Sequence, residues 1–160
     1  MAETLTARFD LPANTRAAGR ARRLVNELLT IWGREEDAEV ARLLVSEVVT
    51  NAVRYARCDD PLHIQIIAQN DRVRIAVGDD STIRPIMRTV CDDDESGRGM
   101  HLVAALASEW GVVDKPAEDS PGKHVWFELT APARAAIPVS AAGPTALTGM
   151  AGACQPAFFP

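Results

Sequence analysis

Aromatic residues are scarce in this sequence: Trp, Tyr and Phe together make up 5% of 160 residues. None is interleaved with basic residues in the way RNA-binding modules require, and Trp32, Trp110 and Trp126 are expected in the core or on a sheet. Cysteine is also sparse. Cys58, Cys91 and Cys154 are odd in number, widely spaced and without a C-x-x-C pair, a pattern that argues against a disulfide framework and suits a reducing cytoplasm. His63, His101 and His124 lie too far apart for zinc-like spacing. There is no excess of positive charge: 17 basic against 22 acidic residues leave a net charge of −5, which argues against direct nucleic-acid binding. Arg16, Arg20, Arg22 and Arg23 do cluster, but the acidic run Asp92–Glu95 offsets them. No apolar run approaches the roughly 18 residues of a membrane span. The opening residues Met1–Arg8 lack the apolar stretch of a signal peptide. A cytoplasmic protein without a membrane role is expected.

What is present suits one compact domain. Hydrophobic residues make up 47% and charged residues 24%, as in ordinary globular proteins. Residues 3–11 alternate as a half-buried strand, with Leu5, Ala7, Phe9 and Leu11 inward. Pro12 and Asn14 close it and lead into a helix over 17–32, which Gly33 ends. A second helix is predicted over 36–56, with Glu35, Glu36 and Asp37 where the helix dipole favours acids. Two strands, 62–69 and 73–79, flank an Asn70-Asp71 hairpin turn. Residues 80–96 read as a long loop, 97–107 as a third helix, and 110–115 and 123–130 as two more strands. The order implies an α/β sandwich, a mixed and mainly antiparallel sheet covered on one face by three helices. Residues 1–131 form the expected domain. Residues 132–160, rich in Ala, Pro and Gly and without periodicity, are expected to be a disordered tail.

Three segments carry chemistry. Glu47 and Asn51 lie four apart, one turn along the same helix face, and Arg54 shares it. A carboxylate there suits a general base, and a carboxamide oxygen is a hard donor that suits magnesium. The plainer account is a solvent-facing stripe. Val77-Gly78-Asp79-Asp80-Ser81 ends a strand in two carboxylates, where sites in α/β proteins often lie. A carboxylate at that point accepts a hydrogen bond from the exocyclic amine of adenine; a simple turn explains the same residues. Ser96-Gly97-Arg98-Gly99-Met100 places two glycines before a helix, so that backbone N–H groups can approach phosphate oxygens. A hinge before a helix explains that pattern equally well, and it lacks the Lys-Ser/Thr of a P-loop.

Taken together and in this order, the segments resemble the GHKL (Bergerat-fold) ATP-binding superfamily, and more narrowly the bacterial anti-sigma-factor serine/threonine kinases, over about residues 4–130. Ser46-Glu47-Val48-Val49-Thr50-Asn51-Ala52 is similar to that family's N-box, which implies Glu47 as general base and Asn51 as magnesium ligand. Val77–Ser81 resembles the adenine box, implying Asp79 as the base contact with Ser81 beside it. Gly97, Arg98, Gly99 and Met100 resemble the second glycine box, with the preceding loop as a lid, and Gly122–Phe127 resembles the closing strand motif. Ser81 stands where many relatives carry glycine, Tyr55 where histidine is common, and His124 where threonine is usual, the last bearing on a water-mediated adenine contact.

The resemblance implies ATP and Mg²⁺ as ligands, and transfer of the γ-phosphoryl group to a serine or threonine of an anti-sigma-factor antagonist. An RNA polymerase sigma factor is the implied second partner. Relatives are often dimers, so a homodimer is open. The alternative is a non-catalytic module in which bound nucleotide decides which partner docks. The ATP-binding half of a sensor kinase is a third, weakened by the lack of a segment offering a dimerising helix with a phospho-accepting histidine.

Overall fold

The structure is a computed structural model that describes residues 3–55, 60–81, 98–115 and 122–130. Among the described residues, five strands and three helices follow in the order β1 (Thr4–Pro12), α1 (Ala17–Ile31), α2 (Glu35–Tyr55), β2 (Pro61–Gln69), β3 (Arg72–Asp79), α3 (Arg98–Leu106), β4 (Glu109–Asp114) and β5 (Lys123–Thr130). The expected tail, the loop after Ser81 and Gly97 lie outside the described residues.

The strands make one sheet in the order β1-β2-β3-β5-β4. Every described pairing is antiparallel, so the parallel component of the expected mixed sheet is not among them. The pair of helices between β1 and β2 returns the chain beside the strand it left, running the other way, and β2 and β3 are joined by a two-residue hairpin. Asn70 makes that turn with φ 54, a left-handed conformation that a short polar side chain tolerates.

Strand alternation decides which face is covered. Leu62, Ile64, Ile66 and Ala68 of β2, Val73, Ile75 and Val77 of β3, and Val125, Phe127 and Leu129 of β5 are all buried. They meet a helical layer whose inward stripes are Ala17, Ala21, Val25 and Leu29 on α1 and Ala41, Leu44, Val45, Val48, Val49 and Ala52 on α2. Each valine, leucine or isoleucine buried there contributes ~1.5–3 kcal/mol by leaving water. α3 adds Met100 and Val103 to the same core.

Local signals set the helix ends. At the start of α1, the Arg16 amide donates to Asn14 Oδ1 at 2.9 Å, a turn made by the side chain rather than a cap on the helix itself. At its end Gly33 takes φ +68, and the Arg34 amide reaches back to Leu29 O at 2.7 Å while the Gly33 amide bonds Thr30 O. This is the glycine-dependent stop expected at that position. Arg34 then anchors α2. Its Nε donates to the buried Asp37 at 3.0 Å, and another guanidinium nitrogen donates to Asn70 O, tying the helix start to the β2–β3 turn. Burial pushes the Asp37 carboxyl above its usual range, and the Arg34 charge pulls in the opposite direction.

Candidate nucleotide site

On β3 the inward residues are Val73, Ile75, Val77 and Asp79, so the strand's helix-facing row ends in a carboxylate. Asp79 is 1% exposed, as is its register partner across to β5, Lys123. Lys123 Nζ donates to Asp79 Oδ1 at 2.8 Å and to the Ser81 carbonyl at 3.3 Å. The Ser81 amide donates to the same Oδ1 at 2.8 Å. Asp79 Oδ1 is therefore fully engaged, whereas Oδ2 is buried without a hydrogen-bond partner. A carboxylate oxygen with lone pairs to fill and no donor among the described residues fits a ligand that brings an N–H group.

Gly122 lets the strand ends approach this closely. A Cβ there would meet the Asp79 carbonyl at 2.3 Å and Asp80 Cα at 2.9 Å, both backbone atoms that cannot yield cheaply. Outside this pair, Lys115 donates to Asp80 and its amide bonds Gly122 O, closing β4 and β5 over the end of β3.

The second wall comes from α2 and α3. Glu47 and Asn51 are half-buried at the margin of the buried stripe Leu44, Val48 and Ala52, not on the fully solvated side where Arg42 and Thr50 lie. A Cβ at Gly99 would lie 2.5 Å from Glu47 Oε2 and 3.3 Å from Glu47 Cβ. The glycine at the start of α3 thus sits directly against the acid of α2, two of the three expected segments in contact. α2 also packs on β3, so Asn51 belongs to the layer covering the face into which Asp79 points. Of the other expected site residues, Met100 is buried in the core beside Val103, Ser81 holds Asp79 and Lys123 through its backbone, and Gly97 and the Arg98 side chain lie outside the described residues.

The structure changes the account of the closing strand. His124 points to the opposite face from Asp79, because alternate residues of β5 face opposite ways. Its imidazole lies over Gly78, where a Cβ would meet Cε1 and Nδ1 at 2.7 Å. The residue beside Asp79 is Lys123, which motif comparison passed over. Alternation was the available signal: Lys123, Val125, Phe127 and Leu129 form one inward row, and an inward lysine needs an acid.

The helix-free face carries a shallow groove of about 250 Å³ between Gln65, Ile67, Arg74, Val113, His124 and Trp126. The Arg74 guanidinium stacks 3.8 Å from the centre of the Trp126 ring, and Gly111 leaves room for that indole, as a Cβ there would sit 3.1 Å from it. Desolvation holds the His124 imidazole below its usual pKa, reinforced by the Lys115 and His63 charges and opposed by Asp79. This groove is separated from Asp79 by the thickness of the sheet.

The described residues thus form an α/β sandwich with a buried acceptor at the end of β3 and a covering helix that carries Glu47 and Asn51 one turn apart. The histidine kinase-like ATPase domain model matches residues 11–129, and the chain belongs to that family, of the GHKL type. It is an ATP-binding domain. No curated protein matches the chain. Among the described residues no helix is long and apolar enough to cross a membrane.

Proposed function

We propose that the protein is an anti-sigma-factor-type regulator that uses ATP to phosphorylate a serine or threonine of an anti-sigma-factor antagonist and binds an RNA polymerase sigma factor. The observation that carries the nucleotide part is Asp79 Oδ2, a buried acceptor without a partner at the end of β3. The exocyclic amine of adenine supplies the missing donor, while the 6-oxo group of guanine would set two acceptors against each other.

Transfer chemistry falls to α2 and α3. The Glu47 carboxylate accepts the proton of the attacking hydroxyl as its oxygen bonds to the γ-phosphorus, and the bond to the β-phosphate oxygen breaks to release ADP. The start of α3 at Gly99, held against Glu47, offers backbone N–H groups to the phosphate oxygens, with Gly97 and Arg98 before it in the chain. Asn51 would hold Mg²⁺ through its amide oxygen, and the ion would neutralise phosphate charge. The close packing of Glu47 on Gly99 also serves a second reading, in which the carboxylate fixes helix to helix and nucleotide gates partner docking without transfer.

Calorimetric titration with Mg-ATP, Mg-GTP and Mg-ADP, followed by incubation of γ-labelled ATP with a candidate antagonist, separates these accounts. The kinase reading expects ATP and ADP to bind, GTP to bind weakly, and label to reach the antagonist with wild type but not with Glu47→Ala. Unchanged labelling by that variant removes Glu47 as the base. Tight ATP binding with no label on any antagonist leaves the gating module.

A further inference from the structure

A buried ion pair is a poor way to gain stability. Two charges taken out of water lose hydration that their mutual attraction barely returns, and apolar residues of similar volume commonly hold a fold as well or better. Asp79 and Lys123 are nevertheless both 1% exposed, in a sheet whose neighbouring inward positions are all apolar. The bonding of the pair is also lopsided. Oδ1 takes both the Lys123 ammonium and the Ser81 amide, and Oδ2 takes neither.

We infer that Lys123 is a positioning residue that sets the base preference of the site, by holding Asp79 as a charged carboxylate with Oδ1 engaged and Oδ2 alone offered to the nucleotide. This rests on the reading of Asp79 as the adenine contact. A carboxylate accepts hydrogen bonds and donates none, whereas a carboxylic acid does both. A carboxylate therefore discriminates an amine at position 6 of a purine from a carbonyl there, and a neutral acid, which can donate to that carbonyl, does so far less. Lys123 is the only described cation within hydrogen-bond reach of Asp79. Lys115, at the end of β4, is engaged by the adjacent Asp80, and His124 lies on the other face of the sheet. The Lys123–Ser81 bond adds direction: by gripping the backbone two residues beyond Asp79, it fixes the ammonium on the Oδ1 side.

Inosine triphosphate tests this, because it differs from ATP only around position 6. Affinities of the full chain for ATP and inosine triphosphate are measured by calorimetry for wild type and Lys123→Met, from mildly acidic to mildly alkaline pH, after thermal unfolding has shown that the variant folds. Wild type is expected to prefer ATP throughout. In Lys123→Met the uncompensated buried carboxylate takes up a proton, so the preference shrinks by on the order of tenfold and recovers as pH rises. A folded Lys123→Met with the wild-type ratio at every pH overturns the role of Lys123 while leaving Asp79 as the base contact. A wild type that binds both nucleotides equally overturns the adenine-site reading and this inference with it. Should the variant not fold, the Lys123 ammonium signal of ¹⁵N-lysine-labelled wild type decides. A shift on adding ATP and a smaller one with inosine triphosphate supports the inference, and an unmoved signal sinks it.

Discussion

Glu47 and Gly99 touch across α2 and α3, with so little space between them that a β-carbon at Gly99 would lie 2.5 Å from Glu47 Oε2. The carboxylate can swing away from an added methyl, but Glu47 Cβ, at 3.3 Å, must also give by a few tenths of an ångström. Gly99→Ala should therefore leave the fold within about 1 kcal/mol of wild type, since alanine favours the helix by roughly what the contact costs. Phosphoryl transfer should fall at least tenfold, because a displacement of this size moves a general base out of line. Urea unfolding and labelling of an antagonist, run on the same preparation, check the pair of outcomes. A fully active variant would mean that the contact does not position the acid.

The Asp79–Lys123 pair predicts a strongly non-additive cycle. Asp79→Leu leaves a buried ammonium with only a backbone carbonyl, and Lys123→Met leaves a buried carboxylate, so each single change should cost about 3–5 kcal/mol. The double variant Asp79→Leu/Lys123→Met places two apolar side chains in register and should recover most of that loss. Urea midpoints of the four proteins give the coupling. Simple additivity would show that the two side chains do not act as a pair.

His124 makes a prediction with a definite sign. Its folded pKa lies below the ordinary 6.5, first through desolvation and then through the charges of Lys115 and His63, with Asp79 pulling the other way. As pH falls below the unfolded value, the unfolded chain binds this proton before the native one does. Stability is therefore intact above the ordinary histidine pKa and declines as pH drops toward the folded pKa. The urea midpoint should fall from neutral to mildly acidic pH in wild type and fall less in His124→Thr. Parallel slopes in the two proteins would contradict the assignment.

Asn51 supplies a metal-specific prediction. With Asn51→Ala, ATP affinity in the presence of magnesium should drop by on the order of tenfold, while affinity measured in a chelator stays at the wild-type level. Calorimetry under both conditions distinguishes this from general damage to the cleft, which would lower both values.

Period and punctuation made most of the fold legible. Alternation in β5 gives Lys123–Thr130 directly, and Gly33 marks the stop of α1 because only a left-handed residue allows the Arg34 amide to reach Leu29. Helix spacing likewise placed Glu47 and Asn51 together, since that relationship is local. The contact of Glu47 with Gly99 was not legible, because nothing in a helical period says which distant helix lies across the groove. Lys123 was missed for a different reason. It stands beside His124 in the closing-strand motif, and the apolar residues at 125, 127 and 129 are what place it inside, where it needs a counter-charge.

The place of β5 in the sheet also bears on how the protein is made. As the chain leaves the ribosome, β1 to β3 and the first two helices can assemble, but β4 has no neighbour until β5 arrives to seat it. Until then β3 presents an unpaired inner edge, and Asp79 lacks its lysine. The half-made polypeptide thus lacks the Asp79–Lys123 pair, which forms only when the last described strand enters between β3 and β4.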